Sequence, residues 1–427
     1  MTDLQHKHYD VVIIGGGMVG LSLACALQKL LSVNTARNTR NRSDKKSAKI
    51  LLLESSSINT QKALQPGFDA RSTVLSFGTV QYLESIGLWS EIKAQAEAIH
   101  NIHVSDQNRF GSVKIRAEDA GVDALGFVVE NQNLGQALNK ALLQAKMTEV
   151  KSPAQVKRIS HQSDSALLEC QSDGETFKLN ASLVVLADGG RSGLSEQLGI
   201  HRIQQDYKQV AIIANVAFSE AHDNVAYERF TPQGPLALLP LMNFGQAFRA
   251  ALVWTQHSHE YKEVFELSDE DFLKKLQEEF GHRLGTFTKV GERAAFPLSL
   301  QQAEEQIRHS LVLLGNVAHA LHPVAGQGFN LAFRDTMRLA ENISATIQAG
   351  GNPGDFSRLQ EYLHSTSLDQ EKTIGFSHYL TQFFSSNQQA LVWLRKFGLL
   401  SIDHLPPVKQ ALSIQAMGVS DRLIKVV

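Results

Sequence analysis

The first apolar run of the chain, "YDVVII" (residues 9–14), is short, β-branched and unbroken, the pattern of a strand buried on both faces of a parallel sheet. "GGGMVG" interrupts it, and "LSLACALQKLL" follows as a helix. "KILLLE", "LNASLVVLAD" and "HSLVLLG" repeat the pattern of an apolar run ending in a turn. Between 207 and 256 the pattern changes. "QVAIIANVAF", "NVAYERF", "PLALLPL" and "FRAALVWT" are short, partly alternating and divided by polar turns, which predicts an antiparallel sheet. Beyond residue 350 the pattern is helical, and "YLTQFFSSNQQALVWLRKFGLL" is notably apolar and aromatic. That segment reads either as a dock for a membrane surface or partner, or as a core-packed helix.

Composition narrows the class. At 427 residues the chain is long for one ordinary domain, so two are expected. A hydrophobic content of 43% with 20% charged residues describes a globular protein with a sizeable core. The 41 basic and 43 acidic residues leave a net charge of −2, so nothing in the balance favours nucleic acid as a partner. Cys25 and Cys170 sit in apolar settings and read as buried free thiols in a reducing compartment. "MTDLQHKHYD" lacks the basic-then-apolar pattern of a signal peptide. "VVIIGGGMVGLSLACAL" is shorter than the roughly 20 apolar residues of a membrane span and is broken by glycines. A cytoplasmic location is expected, with at most peripheral contact at the inner membrane face.

The first strand–helix junction carries Gly15, Gly17 and Gly20. The first permits a tight turn, the second lets backbone approach a pyrophosphate, and the third lets the helix pack on the strand. The phosphates would meet free N–H groups at the helix start. With a strand before it and a helix after it, this spacing predicts a dinucleotide-binding turn. The partner acid belongs at the end of a second strand, roughly 20 residues on. Glu54 ends "KILLLE" but lies further away, because "SVNTARNTRNRSDKKSAK" (32–49) intervenes. That stretch is polar, with six basic residues and one acid, and it reads as a surface insertion looping out before the strand begins.

Two more strand ends carry candidate chemistry. "LVVLADGG" closes a β-rich run with Asp188, where a carboxylate can bond a cofactor hydroxyl, although an Asp-Gly alone is only a turn. In "GNVAHALHPVAGQGFN" (315–330), Asn316 follows an apolar run and a Pro/Gly corner leads to a helix expected from near Asn330. Backbone N–H groups of Gly328, Phe329 and Asn330 would form a preorganised anion site. Glycines at 326 and 328 allow close approach, and Pro323 stiffens the corner. His319 and His322 have no third ligand at suitable spacing, so no metal site is expected.

With these three motifs in chain order, the sequence resembles the flavoprotein aromatic hydroxylases of the p-hydroxybenzoate hydroxylase fold. "FDARSTVLSFGT", "VVENQNLGQAL", "GPLALLPL" and the ending "GLLSIDHLPPVKQALSIQAMG" make it similar to the ubiquinone-biosynthesis hydroxylases, most of all those acting on octaprenyl methoxyphenols. The likeness covers essentially the whole chain apart from the insertion. It implies an α/β fold with a Rossmann-like FAD-binding domain (1–96, 128–195 and 296–350, with 32–49 inserted). A mixed or antiparallel sheet domain for substrate (97–127 and 196–295) and a helical C-terminal region (351–427) complete the division.

The resemblance also implies roles. Gly15, Gly17 and Gly20 would hold the FAD pyrophosphate, and Glu54 the adenosine ribose. Arg71 and Asn131 would contact the phosphates or the ribityl chain. Asp188 belongs to a motif that links FAD with NAD(P)H binding. Asn316 would face the ribityl chain, where most of the superfamily has aspartate. The corner from Pro323 to Asn330, including Gly326, Gly328 and Phe329, would lie against the isoalloxazine ring. Where the superfamily often carries an arginine a few residues beyond Asp-Gly, this chain has Ser195. Pro323 would offer its carbonyl to the substrate hydroxyl. His322 would donate a proton near the ring, with simple packing as the alternative. No dedicated general base is evident.

The implied reaction is hydroxylation of a prenylated phenol in ubiquinone biosynthesis through a C4a-hydroperoxyflavin. It consumes O2 and NAD(P)H, the latter a transient co-substrate because the chain has no second glycine fingerprint. Other ubiquinone-pathway proteins are further candidate partners. The competing expectations are an FAD hydroxylase of a small aromatic compound and a non-catalytic FAD-binding scaffold.

Overall fold

The protein is described by a computed structural model covering residues 7–38, 48–57, 71–107, 112–144, 146–323, 326–385, 413–414 and 417–419. Residues 39–47 of the expected insertion and most of the chain beyond 385 lie outside these residues.

The apolar run at the N-terminus forms the strand His8–Ile14. It pairs in parallel with Ile50–Leu53 on one side and Glu175–Leu186 on the other. Thr148–Lys151 extends the sheet beyond Ile50–Leu53, and Leu311–Leu313 extends it beyond Glu175–Leu186, both again in parallel. Antiparallel additions bring the sheet to eight strands among the described residues. Both faces of the central strand are covered. Val11 and Ile13 pack under the helices, while Val12 and Ile14 pack with Val156, Ile159 and Leu168 on the opposite face. Each of these four side chains is buried, a contribution of about 1.5–3 kcal/mol apiece when fully removed from water.

Met18–Asn38 follows the glycine turn as a helix and packs against a second long helix, Gln327–Gln348. The first helix therefore runs into the segment expected to be a surface loop, up to Asn38. The second begins at Gln327, a turn earlier than expected, because Gly326 takes the left-handed conformation (φ 61°) and caps it. Cys25 and Cys170 are buried and unlinked, and burial pushes both thiols up to about 12.

Among the described residues, a nine-stranded sheet forms the other half of the architecture. Arg202–Phe218, Val225–Thr231, Gly234–Phe244 and Ala247–His257 are the runs expected to be antiparallel. They pair so, in the order Arg202–Phe218, Ala247–His257, Gly234–Phe244, Val225–Thr231. Asn101–Asp106 adds a parallel neighbour to Val225–Thr231. Ala294–Ala303 pairs with Arg202–Phe218 along its length, so this sheet keeps the chain past the boundary expected at 295/296. A three-stranded sheet of Ser72–Ser76, Gly126–Glu130 and Ala96–Ile99 lies alongside. Among its described residues the C-terminal region contributes one long helix, Phe356–Ser385, packed on Gln327–Gln348.

Candidate active site

Parallel strands end together, and in an open α/β sheet their carboxyl ends frame the binding crevice. Here Leu53, Ile14, Leu186 and Leu313 are cross-strand neighbours in one row. The residues just beyond this row are the ones the sequence singled out: Glu54, Gly15, Asp188 and Asn316. All four line a single cavity of about 950 Å3. That volume is near the top of the roughly 300–1,000 Å3 usual for small-molecule sites. Gly17, Arg71, Asn131, His322, Pro323, Gly326, Gly328 and Phe329 line it as well. Gly20 and Asn330 do not.

Gly20 and Gly15 serve the turn. Gly15 has φ +110°, and a side-chain carbon there would meet the carbonyl oxygen of Ala187 at 2.6 Å. One added to Gly20 would run into the carbonyl of Gly15. Gly17 is different, since a side-chain carbon would point into open space. The Gly17 carbonyl accepts the first intrahelical bond, from the Leu21 amide at 3.0 Å. The amides of Met18, Val19 and Gly20 therefore precede the helical ladder.

Glu54 is oriented by backbone. Its Oε2 accepts from the Gly16 amide at 2.6 Å and its Oε1 from the Ser56 amide at 2.7 Å. Each oxygen keeps acceptor capacity for a further donor. Asp188 is held in the same way, accepting from the amides of Gly190 and Ser192 at 2.9 Å each. Asn131 accepts from the Thr73 hydroxyl at 2.6 Å, and Arg71 lies over the Phe296 ring at 4.7 Å. Ser195 is buried, and its hydroxyl accepts from Arg202 at 2.7 Å. The guanidinium of Arg202 lies against Gly190, so an arginine reaches the Asp188 turn from the next strand, beside Arg191 of the turn itself.

At the Pro/Gly corner, Gly328 presents bare backbone, with open space where a side chain would begin. Asn330 is an anchor. Its Oδ1 accepts from the Ser76 amide and the Thr79 hydroxyl, and its Nδ2 donates to the carbonyls of Val74 and Gly326, all at 2.8–2.9 Å. The Pro323 carbonyl accepts from the Gly326 amide at 3.0 Å, closing the corner and leaving one lone pair. His322 is buried with its ring edge-to-face on Tyr207, and burial pushes its imidazole down to about 4. It is neutral at pH 7, so it does not hold the extra proton an acid would need. His319 is buried, and its Nε2 pairs with Asp335 Oδ2 at 2.8 Å.

The FAD binding domain family matches residues 8–372. The ubiquinone hydroxylase UbiL of Rhodospirillum rubrum is 32% identical over 423 residues, covering 98% of this chain and 91% of that protein. The chain belongs to the FAD-dependent ubiquinone-biosynthesis hydroxylase family. The mitochondrial ubiquinone biosynthesis monooxygenase COQ6 of Rattus norvegicus is 30% identical over 94% of this chain and 89% of its own length. Among solved structures, p-nitrophenol 4-monooxygenase PnpA from Pseudomonas putida superposes with a TM-score of 0.76 at 18% identity. The match covers 97% of this chain and 99% of that one, and the shared fold is the p-hydroxybenzoate hydroxylase-like one.

FAD, the cofactor of this hydroxylase family, suits the cavity's donor set. Uncapped amides and an open glycine stand where a pyrophosphate needs them, with an oriented carboxylate beside them. A second bare glycine, Gly328, stands at the start of the other long helix. One lining residue had escaped the motif reading. Glu228 lies in "NVAYERF", and the period-2 alternation of that run puts it on one face with Ala226 and Phe230. An acid at an inward-facing position is the sequence signal that would have found it.

Proposed function

We propose that this hydroxylase adds one oxygen atom to the aromatic ring of a prenylated phenol in ubiquinone biosynthesis, using O2 and NAD(P)H. One observation carries this reading: a single cavity runs from the glycine turn and Glu54 to an apolar wall on the nine-stranded sheet. That wall contributes no lysine or arginine among the described lining residues. A small aromatic acid would call for a fixed cation there, whereas a prenyl tail needs apolar surface.

Bound FAD supplies the reduction of O2 and the transfer of one of its oxygen atoms. The chain's own residues do the rest. Gly15, Gly17 and Glu54 would hold the adenosine and pyrophosphate end, with Arg71, Asn131 and Asn316 along the ribityl chain. Backbone amides at Gly328 and Phe329, at the positive end of a long helix, would face the ring and favour negative charge there. Phe329, Phe376 and Leu380 line the cavity and would help exclude water from the reacting centre. The remaining acceptor site on the Pro323 carbonyl is suited to a substrate hydroxyl. NAD(P)H would bind transiently near Asp188.

No described helix is long and apolar enough to cross a membrane. A lipid-tailed substrate resides in a bilayer, so we infer peripheral contact with a membrane face, and assembly with other enzymes of the pathway is consistent with that delivery. The apolar segment 379–400, expected either as a dock or as a core-packed helix, lies mostly outside the described residues.

Anaerobic mixing of the purified yellow protein with NADPH, with and without a prenylphenol, followed by admission of O2, tests the proposal. The expected result is faster flavin bleaching with the phenol and a product one oxygen heavier. Flavin that NADPH never bleaches, whatever phenol is present, would identify a scaffold instead.

A further inference from the structure

The apolar end of the cavity holds one ionisable side chain that the chemistry above leaves unused. Glu228 sits mid-strand in Val225–Thr231. Across the nine-stranded sheet, Val104, Glu228, Ala237, Val253 and Ile213 are successive cross-strand neighbours. All five line the cavity. Glu228 is thus the only carboxylate that this sheet gives to the cavity among the described residues, in a row otherwise built of Val, Ala and Ile. Its carboxylate has no hydrogen-bond or ion-pair partner among the described residues. The packing does not need it, since an aliphatic side chain would complete the row, and an unpaired carboxylate in such surroundings is costly.

We propose that Glu228 is the proton acceptor for the phenolic hydroxyl of the substrate. This rests on a phenol being the substrate. Burial pushes the Glu228 carboxyl up to about 7, where a group both takes and returns a proton at neutral pH. Burial is the whole cause, and no neighbouring charge contributes. Val104 and Ala237 flank Glu228 in the sheet, and the helix Phe356–Ser385 turns Phe376 and Leu380 into the cavity. The other charged groups of the lining, Glu54, Arg71, Asp188 and Arg191, come from the eight-stranded sheet's turns and from the segment before Ser72. His322 is present there as a neutral imidazole.

In the step, the phenol O–H bond breaks and the proton passes to a Glu228 oxygen. The electron pair left on the phenolate raises electron density at the ortho and para carbons. One of those carbons bonds the oxygen atom that FAD, NAD(P)H and O2 supply, and the other oxygen atom leaves as water. The ring regains aromaticity by losing the hydrogen of that carbon as a proton, and Glu228 returns its own proton to the phenolate oxygen.

The test compares flavin-loaded wild type and Glu228→Gln on two substrates, a prenylphenol and its ring-fluorinated analogue that is already ionised at neutral pH. E228Q should keep its FAD and lose roughly 100-fold or more in turnover of the neutral phenol, with the loss shrinking to within about tenfold on the ionised one. A readout free of turnover is infrared difference titration. Wild type should show a protonated-carboxyl band that fades as pH rises through neutrality, and E228Q should lack it. Equal losses on both phenols, undiminished turnover, or the same band in E228Q would overturn the proposal. Should E228Q fail to bind FAD, Glu228→Asp takes its place, and a loss that ignores phenol ionisation overturns the proposal equally. A wild type that hydroxylates neither phenol would refute the substrate class instead, while the infrared titration still decides whether Glu228 exchanges a proton near pH 7.

Discussion

His319 Nε2 and Asp335 Oδ2 lie 2.8 Å apart, and both side chains are only 1% exposed. The pair ties the segment leading into the Pro/Gly corner to the third turn of the helix that starts at Gln327. Gln370 of the C-terminal helix adds a third member by donating to the same oxygen at 2.9 Å. Removing one partner leaves a buried polar group without its mate. Asp335→Ala should therefore destabilise the protein by about 3–5 kcal/mol in denaturant unfolding. It should also release FAD more readily, because the corner loses its brace. A loss under about 1 kcal/mol would show that the pair is not a brace.

Gly17 and Gly20 make opposite predictions from one motif. A side-chain carbon at Gly20 collides with the Gly15 carbonyl, whereas one at Gly17 points into open cavity. Gly17→Ala should fold with stability within about 0.5 kcal/mol of wild type. It should bind FAD at least roughly tenfold more weakly, since the added methyl stands where the pyrophosphate must approach. Gly20→Ala should fail earlier, giving little folded protein. Flavin absorbance per mole of folded G17A decides the matter, and full occupancy would refute the assignment.

These contrasts show what the sequence could and could not reveal. The motifs were legible because each lies at a strand end, where turn chemistry leaves a local mark: glycine spacing, Asp188 before glycine, Asn316 after an apolar run. Parallel pairing then brings those ends into one row without further instruction. Arg202 and Glu228 were not legible as site residues. Each belongs to a strand of the nine-stranded sheet, and its neighbours are set by pairing across dozens of residues. The alternation around Glu228 gave its face but not what that face looks upon. Asn330 is expected at the corner for its backbone N–H, and its side chain has a further role that no local pattern marks, anchoring Ser76, Thr79 and Val74.

Asn316 is exposed within the cavity, on the single turn Gly315–Val317 that follows the Leu311–Leu313 strand. As an amide it accepts from a hydroxyl without placing a fixed negative charge near a ring that becomes anionic on reduction. Asn316→Asp should keep FAD bound and lower the midpoint potential by the order of 30 mV, equivalent to about 1.4 kcal/mol for two electrons. Equilibration against a redox dye measures this directly. An unchanged or raised potential would refute it.

The buried imidazole of His322 sets a pH dependence whose sign can be worked out. In an unfolded chain histidine titrates near 6.5, and in this fold burial pushes His322 down to about 4. Between these values the unfolded chain binds the proton first. The contribution of His322 to stability is therefore complete above about pH 6.5 and is withdrawn as pH falls toward 4. His103, pushed down to about 4 by burial and by the Arg283 charge, acts in the same window. Glu228, raised to about 7, acts in the opposite sense: its support is complete below about 4.5 and is lost as pH rises through 7. His322→Phe removes one of these protons and keeps an aromatic ring against Tyr207. Its stability should fall less steeply with acid than that of wild type, by up to about 1.4 kcal/mol per pH unit between pH 6 and 4. Guanidinium midpoints for both proteins across that range give the two slopes. Parallel slopes would mean that His322 takes up its proton in the folded protein as readily as in the unfolded chain, and its burial would then carry no acid sensitivity.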